Sequence, residues 1–279
     1  MIEDAAVSEG QADTAIAPSY DPHFFAPLFA VEDRHFWFRA RNRLIATLVG
    51  QITSRLTPGY RVLEVGCGTG NVLHVLEAVC DRGVVVGMDL FVEGLRYARR
   101  RTRAPLVQGD MHTPPFRAVF DLIGLFDVLE HLPDDMRVLR DLHAMLAPGG
   151  ALMITVPAHT SLWSYFDEAA HHCRRYAEDE LVRKLHDAGY RVEYLTQFMV
   201  PLFPAIWLGR RVARLRNRRA SATALSVDDL AINELRIVPV ANACLYWLLR
   251  QEGRLIGRRK RLPIGTSFLA IAYKTDPHA

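Results

Sequence analysis

The sequence is poor in cysteine: 279 residues hold four, at positions 67, 80, 173 and 244, and none falls in a CxxC or other metal-ligand spacing. That excludes a disulfide framework and a thiolate metal cluster, and a reducing, cytoplasmic setting is expected. Long apolar runs are missing too. The longest, Phe198–Leu208, contains two prolines and falls well short of the ~20 residues that a bilayer crossing needs. Residues 1–20 lack a basic start followed by an apolar core, so no secretory leader is expected. Net charge is nearly absent, with 34 Lys and Arg against 31 Asp and Glu, and it selects no class of partner. No internal repeat is present.

Charge is nevertheless unevenly spread. The first fourteen residues hold acids and no Lys or Arg, and residues 1–20 read as a disordered acidic tail. Six arginines fall within Arg210–Arg219 and five basic residues within Arg254–Arg261. Such runs form a solvated helix face or meet an anionic surface, so weak peripheral membrane contact stays open. They lack interleaved aromatics and any nucleic-acid module, and no nucleic-acid partner is expected. Oligomeric state is not legible.

Periodicity gives the organisation. An aromatic and arginine-rich stretch, Phe24–Arg43, leads into apolar residues at helical spacing, which predicts a helix over 31–52 inside an N-terminal helical cap, 21–58. Strands are then expected at 60–65, 83–88, 105–108, 120–126 and 151–156, with helices at 70–80, 92–101 and 134–147 between them. Pro148-Gly149-Gly150 reads as the stop of the last helix. Strands separated by helices imply parallel units with helices on both faces. A helix over 178–188, a strand over 191–196, helices over 200–218 and 230–250, and a closing strand over 267–274 complete a main domain, 59–279. A helical insertion of that domain spans about 198–262.

The stretch VLEVGCGTG places glycines at 66, 68 and 70 just after the first strand. A dinucleotide fingerprint would need glycine one place after Gly70, where Asn71 stands. Acidic residues follow the next strand ends: Asp89 in VVVGMDL, Asp110 in QGDM, and Asp127 and Glu130 in FDVLEHL. Such ends, grouped at a switch point, are where open parallel sheets bind ligands. The plainer readings are loop acceptor for Glu64, strand-end residue for Asp89, turn residue for Asp110 and helix cap for His131.

Taken together, Glu64, the glycine turn, Asp89, Gly109-Asp110 and FDVLEHL resemble the motifs of the class I S-adenosylmethionine-dependent methyltransferases that act on small molecules. The resemblance is close over roughly 61–157. It implies an α/β fold: a Rossmann-like, doubly wound, mostly parallel seven-stranded sheet with added N-terminal and C-terminal helices. It also implies S-adenosylmethionine as cofactor. Glu64, Gly66, Cys67, Gly68 and Gly70 would meet its methionine part, Asp89 and Leu90 its ribose, and Asp110 and Met111 its adenine. Phe126 and Asp127 would face the methionine and substrate side.

The segment after the fifth strand, YFDEAAHHCRRY, is the most unusual in the chain. Glu168 is a candidate base, with His131 a second one. His171, His172, Arg174, Arg175 and Tyr176 form a candidate clamp for an anionic head. Alternatively they anchor the loop to Asp134 and Asp135, or to Glu178–Glu180. His171 and His172 also admit a metal reading with Asp167, but no second cluster stands at ligand spacing, so no protein-held metal is expected. Mg2+ brought by a diphosphate substrate would need fewer ligands. Trp37, Tyr165 and Trp207, with Phe36, are candidate aromatic walls. The sharpest reading is C-methylation of an isoprenyl diphosphate. Alternatives are O- or N-methylation of a secondary metabolite or sugar, and a non-catalytic scaffold at a membrane surface.

Overall fold

The computed structural model describes residues 20–117, 119–217 and 235–275. Seven strands, β1 (Arg61–Val65), β2 (Val84–Asp89), β3 (Leu106–Gln108), β4 (Phe120–Phe126), β5 (Leu146–Pro157), β6 (Tyr190–Phe198) and β7 (Ser267–Lys274), form one sheet in the order β3-β2-β1-β4-β5-β7-β6. The pairs from β3 to β5 are parallel, while β7 runs antiparallel to both β5 and β6. Successive side chains leave opposite faces of a strand. In β7, Phe268, Ala270 and Ala272 therefore join one buried cluster, while Leu269 and Ile271 join another across the sheet. A strand buried on both faces has no polar alternation, and both faces must be roofed by helices.

Among the described residues those helices are α1 (Phe25–Val31), α2 (Phe36–Thr53), α3 (Leu73–Val79), α4 (Val92–Ala98), α5 (Asp135–Met145), α6 (Tyr165–Ala169), α7 (Glu178–Asp187), α8 (Phe203–Asn217) and α9 (Pro239–Gly257). The single helix expected over 31–52 is broken. His35 is extended, and its ring nitrogen accepts the Trp37 N–H at 3.4 Å as a cap for α2. The helix expected to 147 stops at Met145, because Leu146 already pairs with Phe120 of β4 and draws the Pro-Gly-Gly stretch into β5. The helix expected over 230–250 runs from Pro239 to Gly257, and residues 230–234 lie outside the described ones. The expected acidic tail, apart from Tyr20, also lies outside them.

Helices α8 and α9 lie in the chain between β6 and β7. α9 packs on α2 in the same direction. Near its start the Asn242 side chain accepts the Phe36 N–H at 2.7 Å, and at its end Gln51 Nε2 donates to Gly257 O at 2.6 Å. No helix among the described residues is long and apolar enough to cross a membrane.

Candidate active site

The strand order reverses between β1 and β4, and the crevice there is the expected ligand position. Its floor is the turn after β1. Gly66, Gly68 and Gly70 all have positive φ, at 70°, 49° and 75°, a conformation that glycine adopts without steric cost. A Cβ on Gly66 would stand 2.4 Å from Val128 Cγ2, and one on Gly70 2.9 Å from Ala98 of α4. Gly66 and Gly68 line the resulting cavity of about 220 Å³; Gly70 does not, and seats the turn on α4 instead. Asn71 docks the turn on α2, its side-chain oxygen and carbonyl accepting from Asn42 Nδ2 at 2.8 and 2.9 Å.

Strand ends supply the acids. Asp89 is buried, accepting the Gly68 N–H on Oδ2 at 2.7 Å and the Phe91 N–H on Oδ1 at 2.8 Å. A carboxylate has about four acceptor sites, so each oxygen keeps one for a ligand hydroxyl. Burial pushes the Asp89 carboxyl up to about 6, against the pull of the backbone N–H groups of Phe91, Gly68 and Leu90. Glu64, on β1, is also buried, and its Oε2 has no hydrogen-bond partner. Burial raises its carboxyl well above the usual range, while the charge of Arg41 draws it back. Cys67 is a buried wall whose thiol burial holds neutral. Leu90, Asp110, Met111, Phe126 and Asp127 line the same cavity. Asp110 is shaped by an Asx turn, its Oδ1 accepting the His112 N–H at 2.8 Å. Asp127 has φ 56° and holds Arg41 Nη1 at 2.5 Å.

The roof comes from residues the sequence did not single out. Tyr20, Phe25 and Phe91 pack ring to ring, and Tyr20 also meets His131 edge-on at 5.8 Å. Arg101, after α4, fastens this cover. It donates to Glu32 Oε2 at 2.5 Å, Thr69 Oγ1 at 2.9 Å and Phe29 O at 3.0 Å, and lies over the Phe29 ring. Thr69 itself donates to Glu32 Oε2 at 2.6 Å, tying cover to floor.

A second cavity, of about 490 Å³, adjoins the first; Tyr20, Phe38, Arg41, Asp127 and His131 border both. Phe36, Trp37, Phe166, Leu202 and Ile206 give it an apolar wall, and Glu130, His131, His172 and Arg175 a polar end. Of the residues expected to bind substrate, Phe36, Trp37, His172 and Arg175 line it. The others do not. Glu168 is exposed: α6 opens with a capping box that turns Asp167 inward, and the next residue on a helix points about 100° away. His171, Tyr165 and Trp207 are exposed and border neither cavity. Arg174 donates to Pro133 O and pairs with Asp135, both at 2.6 Å, and Tyr176 is fully buried with its hydroxyl on Asp135 at 2.9 Å. The clamp therefore divides. Arg174 and Tyr176 anchor the loop, and Arg175, facing the other way, binds Asp167 at 2.6 Å.

Comparison with known proteins agrees with this geometry. The family model described as "Methyltransferase domain" matches residues 32–195. An uncharacterised transposon protein of Streptomyces fradiae is 37% identical over 134 residues, covering 45% of this chain and 39% of that protein. The trans-aconitate 2-methyltransferase of Azoarcus is 32% identical over 168 residues, 60% of each. The chain thus spans less than two thirds of the length of these curated relatives. Phosphoethanolamine N-methyltransferase 2 of Haemonchus contortus, solved with S-adenosylmethionine, superposes with a TM-score of 0.53 at 18% identity, over 84% of this chain and 53% of that one, and shares the fold. The chain belongs to the class I S-adenosylmethionine-dependent methyltransferase family. Its first cavity fits that family's cofactor on an observation of its own: the buried, unpartnered Glu64 Oε2 calls for a donor or cation.

Proposed function

We propose that the protein transfers a methyl group from S-adenosylmethionine to a hydroxyl or amine of a small lipophilic molecule seated in the second cavity. The observation carrying this reading is the adjacency of two cavities of different chemistry that share Asp127 and His131. Asp89 would hold the ribose, Asp110 and Met111 the adenine, and Glu64 with Gly66 and Gly68 the methionine part. The cofactor supplies an electrophilic methyl on a cationic sulfur. The chain's contribution is to align an acceptor with it and exclude water, which can supply much of the barrier reduction. The apolar wall of Phe36, Trp37 and Phe166 would orient the acceptor, and its polar end would meet the polar residues Glu130, His131 and His172. His131, at the junction, is the candidate for receiving the acceptor's proton.

C-methylation of an isoprenyl diphosphate has less support, because Arg174 and Arg175 spend donors on Asp135, Pro133 O, Asp167 and Ala158 O. The size of the second cavity suits a drug-sized ligand. Helix α8 also exposes Trp207, Leu208 and Val212 beside Arg211, which supports weak contact with an anionic membrane surface from which a greasy acceptor could enter. The test is incubation with cofactor and a panel of phenols, amines and isoprenyl diphosphates, followed by mass analysis. A methyl ether or N-methyl product is expected; a new carbon–methyl bond on the diphosphate would overturn the acceptor assignment.

A further inference from the structure

Glu130, His131 and His172 meet at the polar end of the second cavity, and one ligand-type atom from each lies within 4.8 Å of the others. Glu130 and His131 come from the turn after β4, and His172 from the loop after α6. Three features of the cluster go beyond proximity. Glu130 is 1% exposed, and its Oε2 has no hydrogen-bond partner. A buried carboxylate oxygen left so is costly, and cations relieve it. His172 is oriented from behind: its Nδ1 lies 3.0 Å from Asp167 Oδ1, which leaves Nε2 facing Glu130 Oε1 at 4.0 Å. Asp167 is itself fully buried, gripped by Arg175 at 2.6 Å and the Ser164 N–H at 2.8 Å. A carboxylate behind an imidazole is the arrangement that fixes the tautomer of metal-binding histidines. Finally, two arginines lining the same cavity are already matched, Arg41 by Asp127 and Arg175 by Asp167.

We infer that Glu130, His131 and His172 bind one divalent transition ion or zinc, with Asp167 positioning His172. Two imidazoles and one carboxylate suit zinc, cobalt or iron; magnesium prefers oxygen ligands. This departs from the expectation of no protein-held metal. The sequence offered His171 and His172 with Asp167 as ligands, whereas in the fold His171 is exposed, Asp167 stands behind His172 and Glu130 stands in front. Ligands of a tetrahedral ion sit roughly 3.4 Å apart for bonds of about 2.1 Å, so binding would draw the 4.0 Å pair inward. Three protein ligands leave positions open toward the second cavity. If the proposed methyl transfer is right, an acceptor bearing adjacent oxygens, such as a catechol or hydroxy acid, would occupy them, and the ion, with His131 then a ligand and no longer the base, would lower the acceptor's proton affinity instead.

The test is titration of the chelator-stripped full chain with Co2+, read by visible d–d absorption and by calorimetry, with S-adenosylmethionine binding measured in parallel. We expect one ion per chain and a Co2+-dependent rise in melting temperature. Glu130→Gln and His172→Ala should each weaken Co2+ binding at least tenfold, and Asp167→Asn about 10- to 100-fold. His171→Ala, altering an exposed neighbour, should bind as wild type does. Absence of Co2+ bands in wild type overturns the metal site whatever the variants do. So does unchanged binding in His172→Ala. Cofactor binding without Co2+ binding would leave the methyltransferase reading standing; Co2+ binding without cofactor binding would do the reverse.

Discussion

Asp89 shows what a single residue contributes. Its carboxyl sits at about 6 instead of 3.8 because burial disfavours the charge. A raised carboxyl means that the unliganded fold binds a proton the unfolded chain releases, so this group's contribution to stability falls as pH rises from about 4 to 6. Ribose binding at Asp89, as proposed, would work in the opposite sense, because both hydroxyls would donate to the ionised form. Cofactor affinity should therefore be full above pH 6 and decline as pH falls through it. Asp89→Asn should bind weakly at every pH, with that decline abolished, as calorimetry at pH 5 and pH 8 would register. Glu64→Gln should cost about 1.5–3 kcal/mol of cofactor binding, read the same way, without comparable loss of thermal stability. Sequence spacing put these two acids near the glycine turn because both stand in or at the end of short, strongly patterned strands. It could not choose between Asp167 and Glu168, since neighbours on a helix differ by only a third of a turn, and only packing decides which one faces inward.

At the scale of elements, the turn after β1 and the cover above it make separate predictions. Gly66→Ala combines φ 70° with an overlap at 2.4 Å against Val128, whereas Gly68→Ala combines φ 49° with a tolerable 3.5 Å approach to Phe25. Gly66→Ala should abolish cofactor binding and lower the melting temperature; Gly68→Ala should do less of both. Arg101→Ala would strip a buried pair from Glu32. Breaking one side of such a pair costs about 3–5 kcal/mol, which urea denaturation would measure. The strands at 120–126 and 267–274 were legible to the residue, because continuous apolar runs bounded by polar turns leave little choice. The break between α1 and α2 was not: it serves Glu32 and Arg101, partners 69 positions apart. For the same reason the N-terminal cover was invisible as part of the site, its contacts being long-range and its aromatics indistinguishable from core.

The whole molecule builds its first cavity on its parallel half, β3 to β5, and lets the antiparallel pair β7 and β6 carry the helical segment between them. That segment walls the second cavity with Leu202 and Ile206 while α8 shows Trp207 and Leu208 outward. The full chain should co-sediment with anionic vesicles at low salt and be released at high salt, where screening shortens to a few ångströms; Trp207→Ser should reduce the pelleted fraction. The parallel pairing of the first five strands was readable because helices separate them, whereas the pairing of α9 with α2 depends on contacts between residues some two hundred positions apart.

The aromatic roof bolted by one guanidinium also sets a timetable. With the cofactor seated in the first cavity as proposed, the spent nucleoside would lie between the turn below and Tyr20 and Phe25 above, and its release on that side would need the hatch to lift. A methylated product can leave through the greasy chamber while the hatch stays shut. Turnover under saturating acceptor should then be paced by the hatch, and loosening Arg101 should trade tightness of the donor for speed of its replacement.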